Sequence, residues 1–256
     1  MLGATLGVEL ETADQVIDIL ARDASRAARA LERPTQRVRP HLLPVEARGP
    51  ELDARRVDLI LDVGANVGQF AEKIFEAGYE KRIVSYEPLS RPYGILTEKS
   101  RTNPNWDVER LCIGDSTGEV ELMISHNEIA SSILGTTPVL SEFQPEFEYV
   151  GSEKVEVTTL DAAASSVITS AEKPFLKVDV QGFEEQVLRG AEETLARCVG
   201  LQIELSFLEL YDGQMLFSEM LRGLEQKGFT PYRFYPAWID VRDGRWLQAD
   251  GLFFRG

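Results

Sequence analysis

Residues 60–70 read Ile-Leu-Asp-Val-Gly-Ala-Asn-Val-Gly-Gln-Phe. An apolar run ends in the acid Asp62, two glycines follow at Gly64 and Gly68, and a helical pattern starts after them. Twenty-five residues after Asp62, a second apolar run, Arg82–Tyr86, ends in the acid Glu87. A glycine-bearing turn between strand and helix, with an acid at the end of the next strand, is how an open α/β sheet holds a nucleoside cofactor. Taken alone the turn also suits a structural strand-to-helix connection. The spacing of Glu87 favours a ligand.

The glycine spacing narrows the cofactor. A dinucleotide turn reads Gly-x-Gly-x-x-Gly, with glycine where the chain passes close to a pyrophosphate. Here Asp62 takes the first glycine's place, and a carboxylate there would repel a pyrophosphate by several kcal/mol, roughly, in a partly dry site. The same carboxylate suits a cationic ligand end, such as the α-ammonium of S-adenosylmethionine. On this reading Gly64 and Gly68 let the backbone approach the methionine portion, Asn66 and Gln69 supply polar contacts, and Glu87 accepts from both ribose hydroxyls.

The 256 residues, 43% of them hydrophobic, suffice for one full α/β core. Net charge is −15, from 42 acids against 27 bases, which disfavours a nucleic-acid backbone as partner. No apolar run approaches membrane-spanning length, and Glu9, Glu11, Asp14 and Asp18 do not fit a secretory leader. Cys112 and Cys198 read as separate buried thiols. The expectation is a cytoplasmic protein with no membrane and no nucleic-acid partner.

Two regions are expected. Residues 1–55 hold an alanine-rich helical pattern from Val8 to Leu31 and then Pro34, Pro40, Pro44 and Pro50, which read as an extended linker or cap. That helix offers a cover for the site or a homodimer contact. Residues 56–256 alternate between strand and helix patterns. Strands are expected near 58–63, 82–87, 107–113, 174–180, 200–206, 230–237 and 248–255, and helices near 67–77, 90–100, 183–196 and 215–227. The alternation implies a seven-stranded, mostly parallel Rossmann-like sheet covered on both faces. Pro236 and Asp243-Gly244 turn the last strand back antiparallel. Between Ser125 and Gly151 a polar, turn-rich stretch interrupts the pattern, in the place of a lid over the cofactor crevice.

Several segments together resemble the FkbM family of S-adenosylmethionine-dependent methyltransferases. They are Asp62–Gln69, Tyr86-Glu-Pro88, Ile113-Gly-Asp115, Ala130-Ser-Ser132, Val157–Asp161, Phe175–Glu184, Gly190-Ala191 and Gln248–Phe254. They cover about residues 57–256, in family order. The resemblance implies a class I methyltransferase-like fold and O-methyl transfer to a hydroxyl of a small molecule, such as a sugar or a glycosylated or polyketide natural product. It also implies a cofactor site at Asp62, Gly64, Ala65, Asn66, Gly68, Gln69, Glu87, Pro88, Gly114 and Asp115, with Asp115 near the adenine edge. Where the family pattern reads Lys-x-Asp-x-Glu-Gly, this chain has Gln181 in the glutamate's place.

Methyl transfer to an alcohol gains from a base within reach of the hydroxyl. Asp179 and Glu204 fall at the ends of neighbouring strands, where ligands of open sheets bind, and two close acids raise one another's pKa. His126, at the start of the interrupting stretch, is a third candidate. Ser131 and Ser132 could order that stretch. Each has a plainer reading: Asp179 as a helix cap or partner of Lys177, Glu204 in an ion pair, His126 as a loop residue, Asp115 as a turn acid. Asp179, Glu204 and Asp250 have the oxygen chemistry of a magnesium site, but no His/Cys cluster has zinc spacing, and no required metal is expected. A non-catalytic scaffold and a nicotinamide oxidoreductase are the competing readings, separable by which cofactor binds.

Overall fold

The computed structural model describes residues 49–126, 131–143, 148–170, 172–240 and 242–256. The expected helix, linker and dimer contact within residues 1–48 lie outside the described residues, as do 127–130 and 144–147 of the expected lid. Pro50, expected as a breaker, instead sits in the first turn of a short helix, α1 (Gly49–Ala54), where a missing N–H costs nothing.

Leu59–Val63 forms β1, with every side chain buried, as a strand covered on both faces requires. Its neighbours are β2 (Arg82–Tyr86), β3 (Trp106–Glu109), β7 (Pro174–Val178), β8 (Gly200–Ser206), β9 (Phe229–Ile239) and β10 (Trp246–Arg255). The order is β3-β2-β1-β7-β8-β10-β9. Strands β1, β2, β3, β7 and β8 run parallel to one another, while β10 runs antiparallel to both β8 and β9. This is the expected Rossmann-like sheet. The β9–β10 connection closes as a hairpin, Asp240 N–H to Arg245 O at 2.8 Å.

Both faces are covered. On one, Ile60, Ile83 and Phe175 pack with Leu52 of α1, Ala71 and Ile74 of α2 (Gln69–Glu76) and Leu96 of α3 (Ser90–Ser100). On the other, Leu59, Leu61, Leu176 and Ile203 pack with Leu160 of α5 (Leu160–Ala164), Val187 of α6 (Glu184–Arg189), Leu195 of α7 (Glu192–Arg197) and Leu221 and Leu224 of α8 (Phe217–Gln226). The sheet order reverses beside β1, between β2 and β7. In open sheets of this order, ligands bind in the crevice outside the carboxyl ends of the strands at that point.

Three sequence expectations need correction. The strand expected at 107–113 is two strands in different sheets. Trp106–Glu109 pairs with β2, and β4 (Cys112–Gly114) leaves to pair with β6 (Tyr149–Thr159), which also carries β5 (Gly118–Ser125). The helix expected at 183–196 is two, broken at Gly190, where a Cβ would stand 1.9 Å from the Gly114 carbonyl oxygen. The Asp161 carboxylate then caps α7, accepting from Glu193 N at 3.0 Å and Thr194 N at 2.7 Å. Finally, the stretch expected to be irregular between Ser125 and Gly151 holds α4 (Pro138–Phe143) and the start of β6.

Candidate active site

The turn after β1 is a run of tight backbone conformations. Gly64 (φ 77°), Asn66 (φ 50°) and Gly68 (φ 85°) are all left-handed. A Cβ at Gly64 would stand 1.9 Å from the Asp179 carbonyl oxygen, so the turn lies directly against the end of β7. At Gly68 a Cβ would meet Trp106 and Leu96 within 2.8 Å. The first N–H groups of the turn are spoken for: Gly64 and Ala65 both donate to Tyr86 O, at 3.1 and 3.0 Å. Asn66 N donates to Glu87 Oε2 at 2.8 Å, and Leu89 N donates to Glu87 Oε1 at 2.9 Å. Glu87 is thus fixed beside the turn, with lone pairs left on both oxygens. Burial raises its pKa to about 7, against the opposing pull of the two N–H donors and Lys177. Gln69 is exposed, and Pro88 follows Glu87 half-buried.

Asp62 lies deeper than the sequence reading places it. It is fully buried, accepts from Ser85 Oγ at 3.0 Å, and stands 3.2 Å from the Lys177 ammonium. The cation expected from a ligand is supplied by the protein. The register explains it: Ser85, Asp62, Lys177 and Gln202 stand side by side on β2, β1, β7 and β8, a polar row across the middle of the sheet. The Lys177 ammonium also donates to Gly64 O at 3.0 Å and lies 3.7 Å from Asp179 Oδ2. Burial works to lower its pKa, but Asp62 and Asp179 outweigh that, and the net direction is up.

Beyond Lys177 the acids gather. Asp179 keeps 38% of its side chain exposed. Glu204 is half-buried, and its Oε2 accepts from Gln248 Nε2 at 2.6 Å and Gln181 Nε2 at 3.2 Å. Gln181 Nε2 also donates to Asp179 Oδ1 at 2.9 Å, which makes one amide the bridge between the two acids. Burial first, then Asp179, Glu184 and Asp250, push Glu204 well above the ordinary carboxylate range, and Lys177 pulls the other way. Glu184 accepts from the backbone of Val180 and Gly182 at 3.1 and 3.2 Å, and burial lifts it to about 7.

The interrupting stretch meets this acid cluster. Ser132, 1% exposed, donates to Gln181 O at 2.7 Å, and Thr136 bridges to Tyr211. Asp179 and Glu204 are therefore brought together as expected from their strand positions. His126 is not: it is exposed at the end of β5, and its backbone N–H donates to Glu148 O at 3.2 Å. Gly114 packs against the Phe183 ring, leaving Asp115 exposed beyond it. Among the described residues no group of three or more His, Cys, Asp and Glu side chains is arranged to hold a metal ion. Nor is any described helix long and apolar enough to cross a membrane.

Sequence reasoning offered Lys177 only as a partner of Asp179, a pairing seen at 3.7 Å, and Gln181 only as a departure from the family pattern, and counted neither as a member of the site. A lysine inside Phe175-Leu-Lys-Val178, a strand apolar on both sides, was the available signal. The residues present suit an adenosyl cofactor. Glu87 is a carboxylate with spare acceptor capacity for a ribose diol, and the turn beside it lies against two carboxyl groups and a single ammonium.

Residues 62–231 match the model of one protein family, described as the methyltransferase FkbM domain. A curated relative, the 2-O-methyltransferase NoeI of Sinorhizobium fredii, is 27% identical over 165 residues, covering 61% of this chain and 67% of that protein. Among solved structures, magnesium protoporphyrin IX methyltransferase of Synechocystis with bound S-adenosylmethionine superposes with a TM-score of 0.47 at 12% identity, covering 97% of this chain and 100% of that one. The Burkholderia thailandensis 1,6-didemethyltoxoflavin-N1-methyltransferase gives 0.44 at 11%, covering 98% and 93%.

Proposed function

Because the chain belongs to the FkbM methyltransferase family, whose methyl donor is S-adenosylmethionine, we propose that it transfers a methyl group to a hydroxyl of a small molecule, a sugar or a sugar-bearing product. The observation that carries this reading is the close approach of the Gly64 turn to Asp179. It sets the cofactor-side turn and a half-exposed acid against one another at the crevice. The likeness to a protein named as a 2-O-methyltransferase supports oxygen as the acceptor atom.

Bound S-adenosylmethionine supplies an electrophilic methyl group on a sulfonium. Glu87 would accept from the ribose hydroxyls, and the 64–68 turn would hold the methionine portion. Asp62 acts through Lys177, which it holds against Gly64 O and Asp179. Asp179 would take the acceptor's hydroxyl proton as the hydroxyl oxygen bonds to the methyl carbon and the carbon–sulfur bond breaks, the sulfur leaving as a neutral thioether, and Glu204 would stand beside it as the second acid. Asp115 would mark the adenine edge. Most of the acceleration would come from alignment and exclusion of water. The net charge of −15 favours a small acceptor over nucleic acid.

The test is calorimetric titration with S-adenosylmethionine, S-adenosylhomocysteine and NAD, on the wild type and Glu87→Ala. Binding confined to the adenosyl-sulfur ligands and lost in the variant is expected, followed by methyl incorporation into a panel of sugars. Binding of NAD alone would overturn the reading.

A further inference from the structure

Gln181 stands where two unusual backbone conformations follow one another. Its φ is 54°, left-handed for a side-chain-bearing residue, and Gly182 follows at 97°. A non-glycine residue held there is strained, and such outliers cluster at active sites and ligand clamps. A Cβ at Gly182 would meet the Tyr211 side chain at 2.8 Å, so the chain is pressed against the β8–α8 loop as it turns.

This backbone aims a single amide at three groups. Its Nε2 faces Asp179 Oδ1 at 2.9 Å and Glu204 Oε2 at 3.2 Å, and its Oε1 accepts from Tyr211 Oη at 2.9 Å. The amide's orientation is fixed by its partners, since two carboxyl acceptors call for the NH2 and a phenol donor calls for the oxygen. The main-chain carbonyl of the same residue accepts from Ser132 Oγ at 2.7 Å. Glu204 is also faced by Lys177 of β7, Glu184 of α6 and Asp250 of β10. Tyr235 of β9 pairs with Asp250 one strand further on.

We propose that Gln181 is a positioning residue, whose uncharged amide clamps Asp179 and Glu204 into one pair and links that pair to the Ser132 segment. The inference rests on the reading of Asp179 and Glu204 as the acceptor-side acids. A glutamate at 181 would place a further carboxyl group within hydrogen-bonding distance of two others. A neutral amide donates to both without adding charge. Tyr211 completes the clamp, because its hydroxyl donates to the amide oxygen at 2.9 Å while the NH2 faces the acids.

The experiment is a carboxyl carbon-13 titration of protein labelled at glutamate, with the Glu204 resonance assigned by its loss in Glu204→Gln. It is run on the wild type, Gln181→Glu, Gln181→Ala and Tyr211→Phe, with S-adenosylhomocysteine titrated into each as a check on the fold. The expected result is a Glu204 midpoint moved upward in all three variants, least in Tyr211→Phe, with a split, two-step curve in Gln181→Glu as the added acid couples to it. An unchanged midpoint in Gln181→Ala and Tyr211→Phe, with ligand binding retained, would overturn the inference, whatever the added charge does in Gln181→Glu. Absence of S-adenosylhomocysteine binding by the wild type would sink the proposed function while leaving the titration result standing.

Discussion

Replacing Lys177 by methionine removes the cation from the middle of the polar row and leaves Asp62 buried without its counter-charge. The ammonium stands 3.2 Å from one carboxyl oxygen and 3.7 Å from another, with Lys177 6% and Asp62 0% exposed. At an effective permittivity near 20 each attraction is worth roughly 5 kcal/mol. The Asp179 contribution is the smaller in practice, since water reaches that acid. Burying the ammonium costs several kcal/mol in return, so removing one partner of such a pair costs about 3–5 kcal/mol. Across a chain of this size that is a fall in melting temperature of roughly 6–20 °C. The raised pKa of Lys177 means its contribution is complete below the ordinary lysine range and is lost only as pH climbs through a value above 10.5. Urea unfolding at pH 7.5 therefore samples all of it. Methionine keeps a straight apolar side chain of similar length, while the ammonium, 5.6 Å from the centre of the Phe70 ring, is lost with the charge. The decisive comparison is Asp62→Asn with Lys177→Met, in which both charges go while the introduced amide oxygen still accepts from Ser85. That double variant should recover about half of the loss or more. A Lys177→Met protein within about 1 kcal/mol of wild type, or a double variant no more stable than the single, would refute the reasoning.

Two further outcomes follow from the cofactor-side residues. Glu87 has a pKa of about 7, so its acceptor form is lost below neutrality, and S-adenosylhomocysteine affinity should weaken about tenfold from pH 8 to pH 6. Glu87→Gln should flatten that dependence, and a flat wild-type profile would count against the ribose assignment. The unliganded protein should show the opposite trend. Glu87 and Glu184 hold protons up to about 7 when folded, against 4.5 as the unperturbed value, so stability falls as pH rises through that window, by at most about 3 kcal/mol each. Gly64→Ala should destabilise by about 3 kcal/mol or more, because its Cβ meets the Asp179 carbonyl. Gly78→Ala, at φ 92° with nothing within 4 Å, should cost only the roughly 1–2 kcal/mol of the backbone conformation, and equal melting shifts for the two would remove the close approach as a cause.

The parts of the fold that are legible in the sequence are those set by local pattern. A run such as Leu59–Val63 has no other way to bury itself, and the periodicity of α3 marks its observed bounds, Ser90–Ser100. What is lost depends on distant partners. Nothing within 107–113 reveals that Cys112 will pair with Val157 while Asp107 pairs with Val84. Gly190 breaks a helix because Gly114, far off in sequence, packs against it. The site divides the same way. Glu87, Asp179 and Glu204 can be placed from strand ends. Asp62 reads from sequence as facing a ligand because the register that sets Lys177 beside it is a property of β1 and β7 together.

That register has a bearing on how the chain reaches its native state. Strands β1, β2 and β3 pair within residues 59–109 and β7 to β10 within 174–255, so each half of the sheet assembles over short separations. The halves meet along β1 and β7, and the contact from Lys177 to Gly64 closes a span of 113 residues. Long-range parallel pairing of this kind is slow, because loop-closure entropy is lost before contacts reward it. A one-residue slip there would turn Lys177 toward the opposite face, into the apolar packing of Leu61 and Leu176 and away from Asp62. The buried pair thus discriminates between alignments of the two halves: it rewards the native register and makes the neighbouring ones costly.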